Sequence, residues 1–394
     1  MSPVLLMDLD ETLLDNRMES FLPAYLQALS AHLAAHTEPK RMVKTLLAGT
    51  EAMARNLRPD RTLQETFDAV FFPVLGLERQ AVQPVIDAFY VDEFPKLCQV
   101  TRPIAGAVEL VNAALERGWQ VVIATNPLFP EMAILHRLDW AGLTPALDKL
   151  ALVSSYQAFH YAKPHPEFVM ECLARLGWPE GPVVMVGNDL ENDIACAAQA
   201  GLASFWITPD GGGSPAGAAA TGHGALKDLL PWLDAADAKT LEPDFSSQRA
   251  LLAALRAGPA GLTSLAGRDL QKRPAPGEWN ATETLCHLRD VEAEVFLPRL
   301  RRALREDAPV LAGLDSKNWP EERAYAAQDP WAVQQAFTAA RMELLAELDS
   351  LPEDAWKRTM VHPSGSQLTV LELVGRIAAH DRNHARQALA AVCS

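Results

Sequence analysis

Two aspartates leave an apolar strand with one residue between them in Val4-Leu5-Leu6-Met7-Asp8-Leu9-Asp10-Glu11-Thr12-Leu13-Leu14. Side chains two apart on an extended segment share a side, so Asp8 and Asp10 are expected to face one site at the strand's C-terminal end. Such a pair suits covalent phosphoryl chemistry, in which one carboxylate attacks and the other moves protons.

Three further segments supply complementary groups. Val121-Val122-Ile123-Ala124-Thr125-Asn126 has the pattern of a buried strand that ends in a hydroxyl and an amide, and Thr125 can hydrogen-bond a phosphoryl oxygen. In Tyr161-Ala162-Lys163-Pro164-His165-Pro166 the prolines keep the backbone extended, and Lys163 can neutralise both a phosphate and a nucleophile. Val183-Val184-Met185-Val186-Gly187 is another apolar strand, followed by Asn188, Asp189, Asn192 and Asp193; hard oxygen donors of this kind suit magnesium. In this order the four segments resemble the motifs of the haloacid dehalogenase superfamily, the first of which reads Asp-x-Asp-x-Thr after a hydrophobic strand.

The resemblance implies an α/β, Rossmann-like core with a parallel sheet and a set of roles. Asp8 would be the nucleophile and Asp10 the general acid and base. Thr125, Asn126 and Lys163 would stabilise the transferring phosphoryl group, and Mg2+ would be held by Asp8, the Asp10 carbonyl and the fourth motif. Haloacid dehalogenases proper lack the second aspartate, so Asp10 favours a phosphatase or phosphomutase over carbon–halogen cleavage. The fourth motif departs from the common Gly-Asp opening: Asn188 occupies the usual ligand position and brings an uncharged oxygen, so Asp189 or Asp193 is expected to compensate, with Asp193 near Lys163.

The elements that must position these groups divide the chain. Segments 1–15 and 101–235 read as the catalytic core. The insertion 16–100 places Phe21, Leu22, Tyr25, Leu26, Leu29 and Leu33 at helical spacing; this is where the superfamily carries its cap, and an all-helical cap would exclude water and choose the substrate. Arg17, Arg41, Lys44, Arg55 and Arg58 are candidate anion contacts from it, against the plainer reading of solvated charge. A linker region over 208–245, with Gly211, Gly212 and Gly213 at its start, is expected to hold one short helix at Leu226 to Leu233 that packs back on the core.

Beyond it, 245–394 reads as an independent helical bundle. Asn280-Ala281-Thr282-Glu283 has the form of a capping box opening the helix that carries His287. His380 and His384 stand four apart and share a helix face, and a third imidazole would complete an open three-histidine site for Zn2+, Ni2+ or Fe2+. Pro276-Gly277-Glu278-Trp279, His287 and the terminal His-x-x-x-His with Arg386-Gln387 resemble the DinB-like four-helix metalloproteins, some of which are thiol-dependent transferases or isomerases. Cys286, about 100° from His287 around the helix, is expected in the core. Trp279, Trp319, Trp331 and Trp356 read as packing anchors, with Trp319 a candidate for stacking a ligand.

Composition narrows the function. A formal charge of −15 with no basic stripe argues against nucleic-acid or anionic-membrane binding. Five cysteines are scattered without a Cys-x-x-Cys pair, which fits free thiols in a reducing cytoplasm. The first apolar run is the catalytic strand itself, so no signal peptide is expected, and no segment reaches membrane-spanning length. The resulting expectation is a cytoplasmic, magnesium-dependent phosphatase for a small metabolite such as a sugar phosphate, phosphoglycolate or a nucleoside monophosphate, working through an aspartyl phosphate. Its bundle would bind metal, and a homodimer is plausible for such bundles. Two alternatives stand beside it: a low-turnover phosphate sensor or scaffold, and a bifunctional protein whose bundle uses a low-molecular-weight thiol.

Overall fold

The computed structural model describes residues 3–208, 219–313 and 315–393; the glycine-rich run Pro209 to Pro215 lies outside them. The chain forms two compact units. One comprises Met1–Leu57, Arg61–Cys172 and Glu180–Asp244, the other Arg58–Asp60, Leu173–Pro179 and Phe245–Ser394.

In the first unit β1 (Val4–Met7), β2 (Gln120–Ile123), β3 (Leu152–Val153), β4 (Val183–Gly187), β5 (Ala203–Ile207) and β6 (Gly222–Gly224) form one parallel sheet in the order β3-β2-β1-β4-β5-β6. Every residue of β1 and β4 is buried, as a parallel strand covered on both faces requires. Leu5 pairs with Val121 on one side and Val184 on the other, so β1 is central. The chain builds outward to β3 on one side of β1 and then crosses to β4 on the other. The carboxyl ends of β1, β2 and β4 therefore meet where the strand order reverses, which is where open α/β sheets place their ligands.

A two-residue ribbon, Leu14–Asp15 against Arg102–Pro103, joins the outgoing and returning ends of the helical insertion. The insertion contains α1 (Met18–His32), α2 (Pro39–Ala54), α3 (Leu63–Leu75) and α4 (Arg79–Ala88), closed by a π turn and a 3-10 segment that ends at Val100. Its aromatic core reaches the sheet domain through α5 (Glu131–Trp140). Phe94 stacks on Trp140 at 5.4 Å, and Phe21 meets Phe129 edge-on at 6.2 Å.

One element of the expected linker is a strand. Gly222–Gly224 pairs with β5, and it does so with glycine because a Cβ on Gly222 would stand 2.3 Å from the Trp232 ring. The expected helix begins as a 3-10 turn at Leu226–Asp228 and continues as Leu229–Ala235, with Leu226, Leu229 and Leu233 buried in the sheet's core.

The second unit is a bundle of α6 (Gln248–Leu262), α7 (Ala281–Val291), α8 (Pro330–Asp349) and α9 (Val370–Cys393). The Asn280–Glu283 capping box forms, with hydrogen bonds of 2.8 and 2.9 Å. Helix α7 runs through a π segment, Glu292–Phe296, into Leu297–Arg305. An antiparallel hairpin, Thr359–Val361 with Gln367–Thr369, interrupts a stretch that reads as all helix. Three paired residues are too short for an alternation signal to stand out.

The fully buried Arg341 guanidinium ties the bundle together. It makes a bidentate pair with Glu292 at 2.5 and 3.1 Å, reaches Asp381 at 2.5 Å and donates to the Leu255 carbonyl at 2.9 Å. Removing one partner of such a network strands the others in the interior. Arg341→Ala is expected to destabilise the bundle by about 3–5 kcal/mol, read as faster hydrogen exchange in α6 to α9 with the parallel sheet unchanged.

Candidate active site and metal centre

Lys163 is the hub of the first site. Its buried Nζ donates to Asp8 Oδ1 at 2.7 Å and to Asp193 Oδ1 at 2.6 Å. Asp8 continues β1, with its N–H on the Val186 carbonyl, and the Lys163 N–H is held by Asn126 Oδ1 at 3.2 Å. Gly187 at the end of β4 makes room for the second acid, because a Cβ there would lie 2.1 Å from Asp193 Oδ2. Burial pushes the Asp8 carboxyl up to about 7, with Lys163 opposing the rise and Asp193 and Asp10 adding to it. Burial also works against the Lys163 ammonium, yet Asp193 and Asp8 together hold it well above the ordinary lysine value.

After Asp8 the chain turns sharply. Glu11 has φ of +59°, a left-handed conformation uncommon outside glycine. The turn carries Thr12 Oγ1 back to 3.3 Å from Asp8 Oδ2 and 3.2 Å from Asn188 Oδ1. Asp10 lies on the same pocket wall as Asp8, Thr125, Asn126 and Lys163, around a cavity of 230 Å3. Both of its carboxylate oxygens are engaged: Asn16 Nδ2 donates to Oδ1 at 2.7 Å and Arg137 Nη1 to Oδ2 at 2.5 Å.

Arg137 and Asn16 are the residues the sequence reading missed. Arg137 is 1% exposed and lies 4.8 Å from the Phe129 ring centre. Its Nε and Nη2 are buried with no partner among the described residues. The signal for it was present: Arg137 falls in the Ala133, Ile134, Leu138 and Ala141 stripe of buried positions, and a charge on an apolar stripe needs a partner. The cap cations expected to meet an anion point elsewhere. Arg17 pairs with Asp15, Arg41 with the Val74 carbonyl, Arg55 with Glu51 and Arg58 with Asp60, and Lys44 is exposed. None of the five lines the Asp8 pocket.

The donor set suits a hard cation. One ammonium faces two buried carboxylates, which leaves negative charge in excess, and Asn188 Oδ1 converges with Asp8 Oδ2 on the Thr12 hydroxyl. The two fourth-motif acids have other duties. Asp189 Oδ1 caps the following turn by accepting from the Glu191 and Asn192 N–H groups at 2.8 Å each. Asp193, with one oxygen on Lys163, accepts from the Asp189 N–H at 3.0 Å with the other.

In the bundle, His287, His380 and His384 each offer a ligand atom within 4.8 Å of the others. His287 Nε2 and His380 Nε2 are 3.2 Å apart. On the far side of their rings His384 Nδ1 meets Gln387 Oε1 at 3.0 Å and His380 Nδ1 lies 3.4 Å from Asp381, the type of partner that fixes ring orientation for metal binding. Burial and the two neighbouring imidazoles push His287 down to about 3, and burial with His380 pushes His384 down to about 4. Neutral imidazoles are what a transition metal requires.

Trp279 is more than an anchor here, since its ring lies 5.1 Å from His287 and stacks on His384 at 6.1 Å. Trp319 is buried with the Arg323 guanidinium over its face at 3.9 Å, so that face is covered. Trp356 is buried, whereas Trp331 is exposed. Cys286 is fully buried, 3.8 Å from the Tyr325 carbonyl, and burial pushes its thiol up to about 11.

The profile of the haloacid dehalogenase-like hydrolases matches residues 3–201. The chain belongs to that family. Its C-terminal part, residues 245–388, matches the DinB superfamily, so this hydrolase is a fusion of the two. Among curated relatives, "Probable phosphatase IndB" of Dickeya dadantii is 27% identical over 53% of this chain and 82% of its own. "Pyrimidine 5'-nucleotidase YjjG" of Escherichia coli is 30% identical over 36% of this chain and 61% of its own. The solved structure of YfiT from Bacillus subtilis, described as "a probable metal-dependent hydrolase with an unusual four-helix bundle topology", is 21% identical over 36% of this chain and 86% of that one, with a TM-score of 0.34. Among the described residues of the hydrolase no helix is long and apolar enough to cross a membrane.

The histidine trio yields a direct test. Protein expressed with supplemented transition metal is expected to retain about one ion per chain by elemental analysis, and His380→Ala to lower metal affinity by about 10- to 100-fold or more. Substoichiometric metal, unchanged in the variant, would remove the assignment.

Proposed function

We propose that this hydrolase is a magnesium-dependent phosphatase that cleaves a small phosphate monoester through an aspartyl phosphate, with Asp8 as nucleophile and Asp10 as proton carrier. The observation that carries the reading is the buried Asp8–Lys163–Asp193 chain at the end of β1, with Asp10 oriented on the same pocket wall. The names of the IndB and YjjG relatives, a phosphatase and a nucleotidase, support phosphate monoesters as the substrate class.

In this reading an Asp8 oxygen attacks phosphorus as the bond to the leaving alcohol breaks, and Asp10 gives that oxygen its proton. Asp10, now a carboxylate, takes a proton from the water that next attacks phosphorus, which breaks the bond to Asp8 and frees phosphate. Thr125 and Lys163 line the pocket where negative charge develops, and Asn126 contributes by fixing the Lys163 backbone. Asp8, Asp10 through its carbonyl and Asn188 would hold the magnesium that the family implies, which would supply positive charge to the transferring phosphoryl group. Asp189 and Asp193 act from behind, one as a turn cap and the other by orienting Lys163. Arg137 and Asn16 fix the Asp10 carboxylate.

The bundle is proposed as a separate metal centre on His287, His380 and His384. Cys286 is buried away from the imidazoles, so a thiol reaction there would take a low-molecular-weight thiol from solution. Thiol-dependent turnover that needs the three histidines but not Asp8 would establish that second activity.

Phosphate release from a panel of monoesters with magnesium tests the main reading. Asp8→Asn is expected to lower turnover at least about 1,000-fold; release that survives the substitution would overturn Asp8 as nucleophile, and no release from folded protein across the panel would overturn the phosphatase reading and favour a sensor. Arg137→Met is expected to lower kcat about 10- to 100-fold with little change in KM, and Arg137→Lys to recover part of the loss.

A further inference from the structure

A second cavity, of 220 Å3, opens beside the Asp8 pocket and shares Met18, Leu128 and Phe129 with it. Its other walls come from the helical insertion, chiefly Leu22, Leu46, Met53, Phe67 and Phe71. Gly49 on α2 helps to hold it open: a Cβ there would stand 2.7 Å from the Phe67 ring, so glycine lets that ring lie flat against the helix.

Most of the polar groups on its lining are already engaged. Tyr25 and Tyr90 share a hydrogen bond of 2.9 Å, the Thr50 hydroxyl donates to the Leu46 carbonyl at 3.0 Å, the Gln83 amide donates to Asp87 at 2.8 Å, and Asp68 pairs with Arg79 at 2.9 Å. Tyr156 adds the one further hydroxyl on this lining. A polyol placed here would bury hydroxyls without partners, which is costly, whereas hydrocarbon would fill the space favourably. An apolar cavity of about 150 Å3 accepts benzene, so this one has room for a substituted ring or a branched chain of similar bulk.

We infer that the leaving alcohol of the substrate is apolar: an aromatic or branched hydrocarbon group, carrying at most one polar substituent, seated in the Leu22–Leu46–Phe67–Phe71 cavity while its phosphate faces Asp8. The inference rests on the phosphatase reading for the position of the phosphate, and it departs from the sugar phosphates and phosphoglycolate expected from the sequence. Specificity then comes from the insertion through exclusion of hydroxyls, and charge recognition stays with the core.

The test compares 2-phenylethyl phosphate with glucose 6-phosphate, both esters of primary alcohols, so leaving-group chemistry is matched. The expected kcat/KM ratio is about 100-fold or more in favour of the phenylethyl ester. Leu22→Trp and Thr50→Phe, which fill the cavity from two helix positions, are expected to reduce that ratio at least about tenfold. Equal or greater activity on glucose 6-phosphate, or a ratio that neither variant moves, overturns the inference. If neither ester is hydrolysed, calorimetry on Asp8→Asn protein decides the cavity: tighter binding of 2-phenylethyl phosphate than of glucose 6-phosphate upholds it, and equal or weaker binding overturns it, while the phosphatase reading itself falls only if the whole monoester panel is inert.

Discussion

A single buried ammonium holds together two buried carboxylates that would otherwise repel each other. Lys163 stands between Asp8 and Asp193 at 2.7 and 2.6 Å, and each of the three would be costly to bury alone. The surrounding fold follows from that constraint. Asp8 has to leave the central strand, and Asp193 has to reach back over a glycine at the end of the adjacent one. The Lys163 loop is fixed by Asn126, which follows β2. With one positive charge for two negative ones, the cluster is built to accept a further cation, and the neutral Asn188 beside it avoids adding another charge to the excess.

The bundle solves a related problem with a different side chain. Arg341 also lies between two buried acids, Glu292 and Asp381, and it additionally satisfies the Leu255 carbonyl. A guanidinium presents five donors in a rigid fork and keeps its charge when buried, which suits a role in fixing geometry. Through Asp381 that network ends 3.4 Å from His380 Nδ1. Helix α7, which carries His287, runs directly into the π segment at Glu292, an irregularity frequent at functional sites. In the bundle the arginine network and the imidazole cluster are therefore mechanically continuous.

The strand ends were legible because their physics is local. A fully buried strand must be apolar throughout, and the first polar residue after it marks the site, as at Asp8, Thr125 and Asn188. Asn280 with Glu283 was legible for the same reason, a cap being complete within four residues. Arg137 was not, because its significance depends on a partner 127 positions away; in sequence it is one more arginine on an amphipathic helix. The edge strand Gly222–Gly224 was hidden by its own glycines, which weaken a strand signal yet are required under Trp232. The cap cations are numerous and visible in sequence, and Arg17, Arg41 and Arg55 have nearby partners of their own, in line with the plainer reading of surface charge.

The local pairing of these cations bears on how the two parts of the first unit would divide recognition. On the proposed reading a phosphate, dianionic and strongly hydrated, would be met by fixed charge and donors on the sheet core, Lys163 and Thr125 among them. Among the described residues the helical insertion adds no cation to the lining of that pocket, and its own cavity is lined mainly by hydrocarbon. Binding there can only be driven by removing apolar surface from water, a force that does not distinguish positions finely but rejects any hydroxyl left without a partner. With the proposed substrate, selection of the leaving group would be a matter of what the cavity refuses to desolvate, and the core would select on charge.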